Sequence, residues 1–338
     1  MKTTVAVLGA GSWGVTLAKL LYDKGCAVTL WEFNETQSAT LAKTRSLRFF
    51  PHVKLPDDMP ITSDMFTACS SANYILFAVP SHTLRSVARR LSSTGIALTD
   101  TIIISATKGI ENNSLKRMSE IISDELPAAG NRIVALSGPS HAEEVAQKHP
   151  TAIVVASNNS QAAERCQDLF MTPHFRVYTN TDIIGVEIGA SLKNIFAIAA
   201  GIIDGINLGD NAKAAMVTRG LTELMKLGIA MGGRQQTFAG LTGLGDLIVT
   251  CFSRHSRNRA LGEKIGQGKT LTCAEQELIM VAEGVKTTQS AFELGKRYGL
   301  ELPIIHQVYR ILYEGTPPAE SVKSLMMRDS KPEMELYL

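Results

Sequence analysis

The sequence predicts an α/β protein: an N-terminal doubly wound sheet followed by an all-helical C-terminal domain. Three observations carry that expectation. Short runs rich in Val, Ile and Leu alternate with helix-patterned stretches through the first half of the chain. A glycine-rich turn separates the first of these runs from the first helical stretch. Strand signals then fade, and from about residue 182 the apolar spacing is helical.

The strand-like runs fall at 4–9, 27–31, 74–79, 101–105, 133–137 and 152–156. Several are apolar at consecutive positions, the pattern of parallel strands covered on both faces. Helical stretches at 14–24, 84–91, 115–126 and 161–169 lie between them, which implies right-handed βαβ units. Further on, 186–201, 212–227, 259–265, 273–281, 287–298, 304–313 and 321–327 all read as helices. Residues 1–181 are therefore assigned to the sheet domain and 182–338 to the helical one.

A chain of 338 residues can bury two such cores without disulfide or metal staples. A formal net charge of +2 supplies no general field for nucleic acid or an anionic membrane, so any anion site must be local. The cysteines, at 26, 69, 166, 251 and 273, are widely spaced and form no Cys-x-x-Cys. That pattern points to reduced thiols in a cytosol. The histidines show no zinc-type spacing, so no metal is expected. The apolar run at the start stops too early for a signal peptide. Segment 188–203 is too short for a membrane span and contains Lys193 and Asn194, so it reads as a buried helix. A cytoplasmic location follows.

The glycine-rich turn carries the first chemical signal. Gly9-Ala10-Gly11-Ser12-Trp13-Gly14 fits G-x-G-x-x-G directly after a strand. In that motif Gly9 allows the tight turn, Gly11 lets the backbone approach a pyrophosphate, and Gly14 lets the helix pack close. The helix N-terminus then presents free N–H groups and a positive dipole end to the phosphates. Trp13 is open to two readings, core packing or a shield over the cofactor. The second strand ends in Glu32, where a carboxylate accepts from a ribose 2′-OH and repels a 2′-phosphate. Phe33 and Asn34 follow, with no arginine immediately beside them, though Arg45 and Arg48 are close enough in sequence to soften the preference. The domain is thus of Rossmann type, and its cofactor reading leans to NAD.

Five clusters are candidates for the chemistry. Lys108 follows a strand, as a catalytic or an ordinary surface lysine. The run 137–144 places Gly138, Ser140 and Ala142 ahead of a helix, as an anion contact or a plain N-cap. Lys193 is the one charge in the apolar segment 188–203. Burial would lower its pKa toward a value useful for proton transfer, unless the side chain snorkels out. Asp246, in a glycine-flanked turn, either holds a lysine or substrate hydroxyl or caps a helix. The run 253–259 concentrates three arginines, as solvated surface or as a phosphate clamp.

Taken in order, G-A-G-S-W-G, A-V-P-S-H, A-T-K-G, S-G-P-S-H-A-E-E, S-L-K-N, G-L-G-D-L and H-S-R-N-R resemble the bacterial NAD(P)-dependent glycerol-3-phosphate dehydrogenases, from Val5 to about Tyr313. The resemblance implies a Rossmann-type domain followed by a helical one. It also implies reversible hydride transfer between NAD(P)H and dihydroxyacetone phosphate, giving sn-glycerol 3-phosphate for glycerophospholipid synthesis in a cytoplasmic homodimer. Lys193 then corresponds to the proton acceptor, Lys108 to its partner at the reacting carbon, and Asp246 to the residue that orients Lys193. Gly138, Ser140, Lys108, Lys193, Asp246, Ser256, Arg257 and Asn258 correspond to substrate contacts, with Arg257 on the phosphate. Ser12, Trp13, Lys108, Ala142, Arg257, Val281 and Glu283 join Gly9, Gly11, Gly14, Glu32 and Phe33 as cofactor contacts. Where Phe33 stands, NADP-favouring members carry a basic residue. The alternative is another two-domain dehydrogenase acting on a hydroxyacid or ketopantoate, whose substrate carboxylate would use Arg257 in the same way. A non-catalytic nucleotide sensor is a third reading, against which an isolated lysine in an apolar helix argues.

Overall fold

Eight strands form one sheet: β1 (Thr4–Leu8), β2 (Ala27–Trp31), β3 (Ile61–Thr62), β4 (Tyr74–Phe77), β5 (Ile102–Ser105), β6 (Ile133–Ser137), β7 (Thr151–Ala156) and β8 (Phe175–Asn180). The computed structural model describes residues 2–278, 281–330 and 332–333. The strand order is β3-β2-β1-β4-β5-β6-β7-β8, with every pairing parallel except β6–β7. Because side chains alternate across a strand, Val5 and Val7 of β1 feed one apolar layer while Ala6 and Leu8 feed the other. Both faces are therefore covered, as the continuous apolar runs predict.

Several expectations need correction. β3 and β8 are not among the strand-like runs. β3 has only two residues. β8 lies at the sheet edge, where buried Phe175 and Val177 alternate with exposed Arg176 and Tyr178, so it lacks a continuous apolar run. The helix expected at 115–126 is shortened to Met118–Glu125, because Leu115 has φ 58° and Ile110 and Arg117 form an antiparallel bridge before it. The helix expected at 273–281 spans Leu271–Gln276, and residues 279 and 280 lie outside the described residues. Ala142–Ala146 and Asp246–Phe252 are the short helices that the N-cap readings at 137–144 and Asp246 allow, whereas Glu35–Thr44 is not among the expected helices because it buries only Ser38 and Leu41 and so has no apolar stripe.

The centre of the helical half is the helix Ile183–Gly205. By length and composition it could cross a membrane, yet 94% of its most apolar window is buried within the protein. Asp182 starts it, accepting from the backbone N–H of Gly185 (2.8 Å) and of Arg234 (2.8 Å) and from the Thr237 hydroxyl (2.6 Å). The helix Arg257–Gly266 packs against it almost backbone to backbone. A methyl group at Gly201 would run into the Arg259 carbonyl, and one at Gly262 into the Ile198 carbonyl. That closeness fixes the distance between the long helix and the polar run at 253–259.

The two halves are also tied together by buried polar contacts. Glu187 of the long helix accepts from the Ser119 N–H (2.7 Å) and hydroxyl (2.6 Å), and from Arg117. Replacing Gly201 with Ala should lower stability by about 1–3 kcal/mol, the usual cost of overpacking a fitted contact. Denaturant unfolding measures it, and an unchanged midpoint would mean that the two helices separate at no cost.

Candidate active site

The carboxyl end of the sheet and the helical half enclose a cleft of about 620 Å³. The strand β1 delivers the glycine turn to it. Gly9 has φ 109°, and Gly11 caps the helix Ser12–Asp23 with extended backbone and no side-chain cap, so the positive end of the helix dipole opens on the cleft. A Cβ at Gly11 would meet nothing within 4 Å, whereas one at Gly14 would strike the Gly9 carbonyl. Gly11 thus keeps the mouth of the loop open, and Gly14 seats the helix. Glu32, at the end of β2, lines the same cleft, its Oε1 accepting from the Asn34 N–H at 3.1 Å.

These residues fit a dinucleotide. The open loop, the uncapped helix end and the acid at β2 supply the pyrophosphate and ribose subsites. The Trp13 Nε1 and His141 Nε2 atoms, on the cleft walls, are buried without a hydrogen-bond partner among the described residues, and so await a ligand.

At the floor of the cleft three charges meet. The Lys193 ammonium donates to Asp246 Oδ1 and to the Thr250 hydroxyl (2.8 Å). Lys108 donates to Asp246 Oδ2 (2.8 Å) and to the Gly138 carbonyl (3.2 Å). Lys193 comes from the long helix, Lys108 from the end of β5, and Asp246 from the first turn of Asp246–Phe252. Asp246 is only 1% exposed and Lys193 6%. Burial, reinforced by the neighbouring Lys108 charge and opposed by Asp246, lowers the Lys193 pKa to about 7. Burial pushes the Asp246 carboxyl up, but the two ammonium groups outweigh it and hold it below its ordinary value. His141 is driven down to about 4, by burial first and then by Lys193, so it is neutral at physiological pH.

A second polar group on the cleft wall lies at the start of the helix Arg257–Gly266. Ser256 is its N-cap, accepting from the Arg259 N–H (3.2 Å), and Arg257 projects beside it. The exposed Arg257 guanidinium reaches the Val281 carbonyl at 3.4 Å. Asn258 is held from both ends: its amide nitrogen donates to Asn194 Oδ1 (3.0 Å) and its oxygen accepts from the Gly284 N–H (2.9 Å). One amide hydrogen is left for the cleft. A helix N-terminus with an adjacent arginine is an anion site.

Of the residues singled out in the sequence, Gly9, Gly11, Ser12, Trp13, Glu32, Phe33, Lys108, Ser140, Ala142, Lys193, Ser256, Arg257, Asn258, Val281 and Glu283 line the cleft. Gly14, Gly138 and Asp246 stand behind its wall: Gly14 against Gly9, Gly138 presenting its carbonyl to Lys108, and Asp246 beneath both lysines. Glu283 accepts from the Ser81 N–H (3.2 Å) and hydroxyl, and so joins the two halves. The clamp of three arginines reduces to Arg257, since Arg259 turns inward to Asp204 (2.7 Å) and Arg254 is not on the wall. Arg45, too, is occupied by the carbonyls of Pro56 (3.3 Å) and Met59 (2.8 Å). The sequence reading missed Asn194, Thr250 and His255, which line the cleft, and did not weigh His141. His141 and His255 lie inside quoted strings, and Thr250 is one helical turn beyond Asp246, where its hydroxyl must face Lys193.

Two family profiles match the chain: the NAD-dependent glycerol-3-phosphate dehydrogenase N-terminus over residues 4–163 and its C-terminus over 182–323. The chain is 49% identical to the glycerol-3-phosphate dehydrogenase [NAD(P)+] of Pelotomaculum thermopropionicum, covering 99% of this chain and 96% of that protein. The crystal structure of glycerol-3-phosphate dehydrogenase from Coxiella burnetii matches with a TM-score of 0.91 and 38% identity, over 97% of this chain and 99% of that one. A ketopantoate reductase from Ralstonia eutropha, at 15% identity and a TM-score of 0.59 over 95% of this chain and 100% of its own, shares the fold alone.

The two glycines make opposite predictions. Gly11→Val should leave the melting temperature nearly unchanged but abolish dinucleotide binding by calorimetry, because its side chain enters open cleft. Gly14→Val should destabilise the fold itself. Tight binding by the Gly11 variant would move the pyrophosphate subsite elsewhere.

Proposed function

The chain belongs to the NAD-dependent glycerol-3-phosphate dehydrogenase family, and from that premise we propose how its own residues perform the reaction. The substrate pair is sn-glycerol 3-phosphate and dihydroxyacetone phosphate. A nicotinamide dinucleotide held by Gly11, the start of the helix Ser12–Asp23 and Glu32 would supply the hydride donor or acceptor for the substrate C2. Everything else falls to side chains of this chain. The observation that carries the reading is the sharing of one buried carboxylate, Asp246, by Lys108 and Lys193 at the cleft floor.

Lys193 is the proton-transfer residue. With a pKa of about 7 it is populated both as amine and as ammonium at neutral pH. As the amine it takes the hydroxyl proton during oxidation, and as the ammonium it returns that proton to the carbonyl oxygen during reduction. The Lys108 ammonium supplies the positive charge that stabilises the developing alkoxide. Asp246 keeps both nitrogens in place and balances one of their charges. Arg257, Ser256 and the helix end beside them hold the phosphate, with Ser140 on the opposite wall, so that C2 lies over the lysines. Glu32 faces the ribose and favours NAD over NADP. The resemblance adds a homodimer, and five unpaired cysteines support a reducing, cytoplasmic setting.

Lys193→Ala should cut turnover by about 10²–10⁴-fold, the range for a lost general base, while the NADH dissociation constant stays near wild type. Undiminished turnover would remove Lys193 from proton transfer. The pH dependence has a definite sign. Oxidation of glycerol 3-phosphate needs the amine and rises through about pH 7, whereas reduction of dihydroxyacetone phosphate needs the ammonium and falls above it. Two limbs of the same sign would contradict the assignment. Comparing dihydroxyacetone phosphate with carboxylate analogues in the NADH assay tests the substrate, and preference for a carboxylate would favour a hydroxyacid enzyme.

A further inference from the structure

We propose that Arg90 is the group through which this chain accepts the 2′-phosphate of NADP(H), so that Glu32 sets a preference for NAD without making it exclusive. The proposal rests on the dinucleotide cleft described above and names the residue that reads its adenosine end.

Glu32 and Phe33 line the cleft beyond β2, and Phe33 is 66% exposed. Arg90 reaches the same place from the helix Leu84–Ser92, a separate element of the sheet domain. Its guanidinium lies over the Phe33 ring, 5.5 Å from the centroid, and over Trp31 at 5.4 Å. The two rings meet edge to face at 6.2 Å. On the same helix Ser86 and Val87 form part of the cleft wall, so Arg90, one turn further on, stands at its outer rim.

A guanidinium seated on an aromatic face keeps its N–H edges in the plane, directed sideways. There Arg90 makes a long contact to the Ser63 carbonyl (3.3 Å) and faces the charge of Asp64, but among the described residues it is joined to no carboxylate at ion-pair distance. Of the other arginines nearby, Arg45 is engaged by two carbonyls and Arg89 by Glu125 (2.9 Å), while Arg48 stands between the cleft-lining Leu47 and Phe49 as the competing cation. A 2′-phosphate beside Glu32 meets like charge. Arg90, stacked on the Phe33 ring next to Glu32, is the cation placed to offset it, with the bidentate geometry that phosphate prefers.

The test separates the 2′-phosphate from the rest of the cofactor. Dissociation constants of adenosine 2′,5′-bisphosphate and of 5′-AMP are measured by calorimetry at fixed ionic strength for wild type and Arg90→Gln. The bisphosphate should weaken by about tenfold, the scale of one charge-assisted contact, while 5′-AMP stays within about twofold. In kinetics the ratio of kcat/KM for NADPH to that for NADH should fall by a similar factor. Equal weakening of both nucleotides would overturn the proposal, reducing Arg90 to a prop for Phe33, and so would no change in either. Glu32→Gln should tighten the bisphosphate in a background that keeps Arg90 and do so less in Arg90→Gln. Loss of turnover with dihydroxyacetone phosphate would count against the substrate assignment, whereas the nucleotide affinities judge Arg90 alone.

Discussion

The carboxylate of Asp246 is the constraint on which the site depends. It is buried, and a buried carboxylate is tolerated only when fully paired. Each of its oxygens takes one lysine: Lys193 from the helical half and Lys108 from the end of a strand in the sheet half. Neither lysine can move away without leaving one buried carboxylate oxygen without its lysine donor. The same logic recurs along the seam. Glu187 and Glu283, also from the helical half, accept from Ser119 with Arg117 and from Ser81 in the sheet half. Three carboxylates on one side and donors on the other hold the cleft walls in register.

Charge counting supports the acid–base role proposed for the lysine pair. With Lys193 neutral, Lys108 and Asp246 cancel; with Lys193 protonated, the cluster carries one excess positive charge. Burial resists that charge and Asp246 supports it, which brings the Lys193 pKa to about 7. Neutral His141, close to both lysines' influence, adds no further positive charge. As the hydroxyl proton passes to neutral Lys193, the excess positive charge forms beside the substrate oxygen that turns negative.

What could be read from sequence follows the range of the interactions. The glycine turn, its strand and its helix follow from local backbone requirements, so the strand–turn–helix that opens the cleft was legible in the sequence. Lys193 was legible because one charge in an apolar helix has no ordinary explanation. Its two partners were named singly, but that Asp246 takes both lysines depends on contacts 138 and 53 positions apart in the chain. Arg90 gave no signal, since a surface arginine is unremarkable until a fold brings it to the wall, and Thr250 and Asn194 stand out only by their spacing from Asp246 and Lys193. The arginine run was over-read for the same reason: Arg259 looks like its neighbours in sequence but turns to Asp204 inside. Edge strand β8 escaped because only one of its faces is buried.

The spacing between the reactive end and the phosphate end is a property of the core. Lys193 and Asn194 are neighbours on the long helix, and Asn258 is fastened to Asn194 at the start of the helix that carries Arg257. Those two helices approach so closely at Gly201 and Gly262 that neither tolerates even a methyl group between them. The gap between the lysine pair and the anion site is thus set by backbone contact and cannot stretch with side-chain motion. In the reaction proposed, a rigid gap of this kind would select ligands by length as well as by charge, since a ligand anchored at Arg257 would have to span a fixed distance to Lys193. Discrimination between a phosphate ester and a shorter carboxylate would then rest on the glycine contact beneath the site as well as on the arginine at its end.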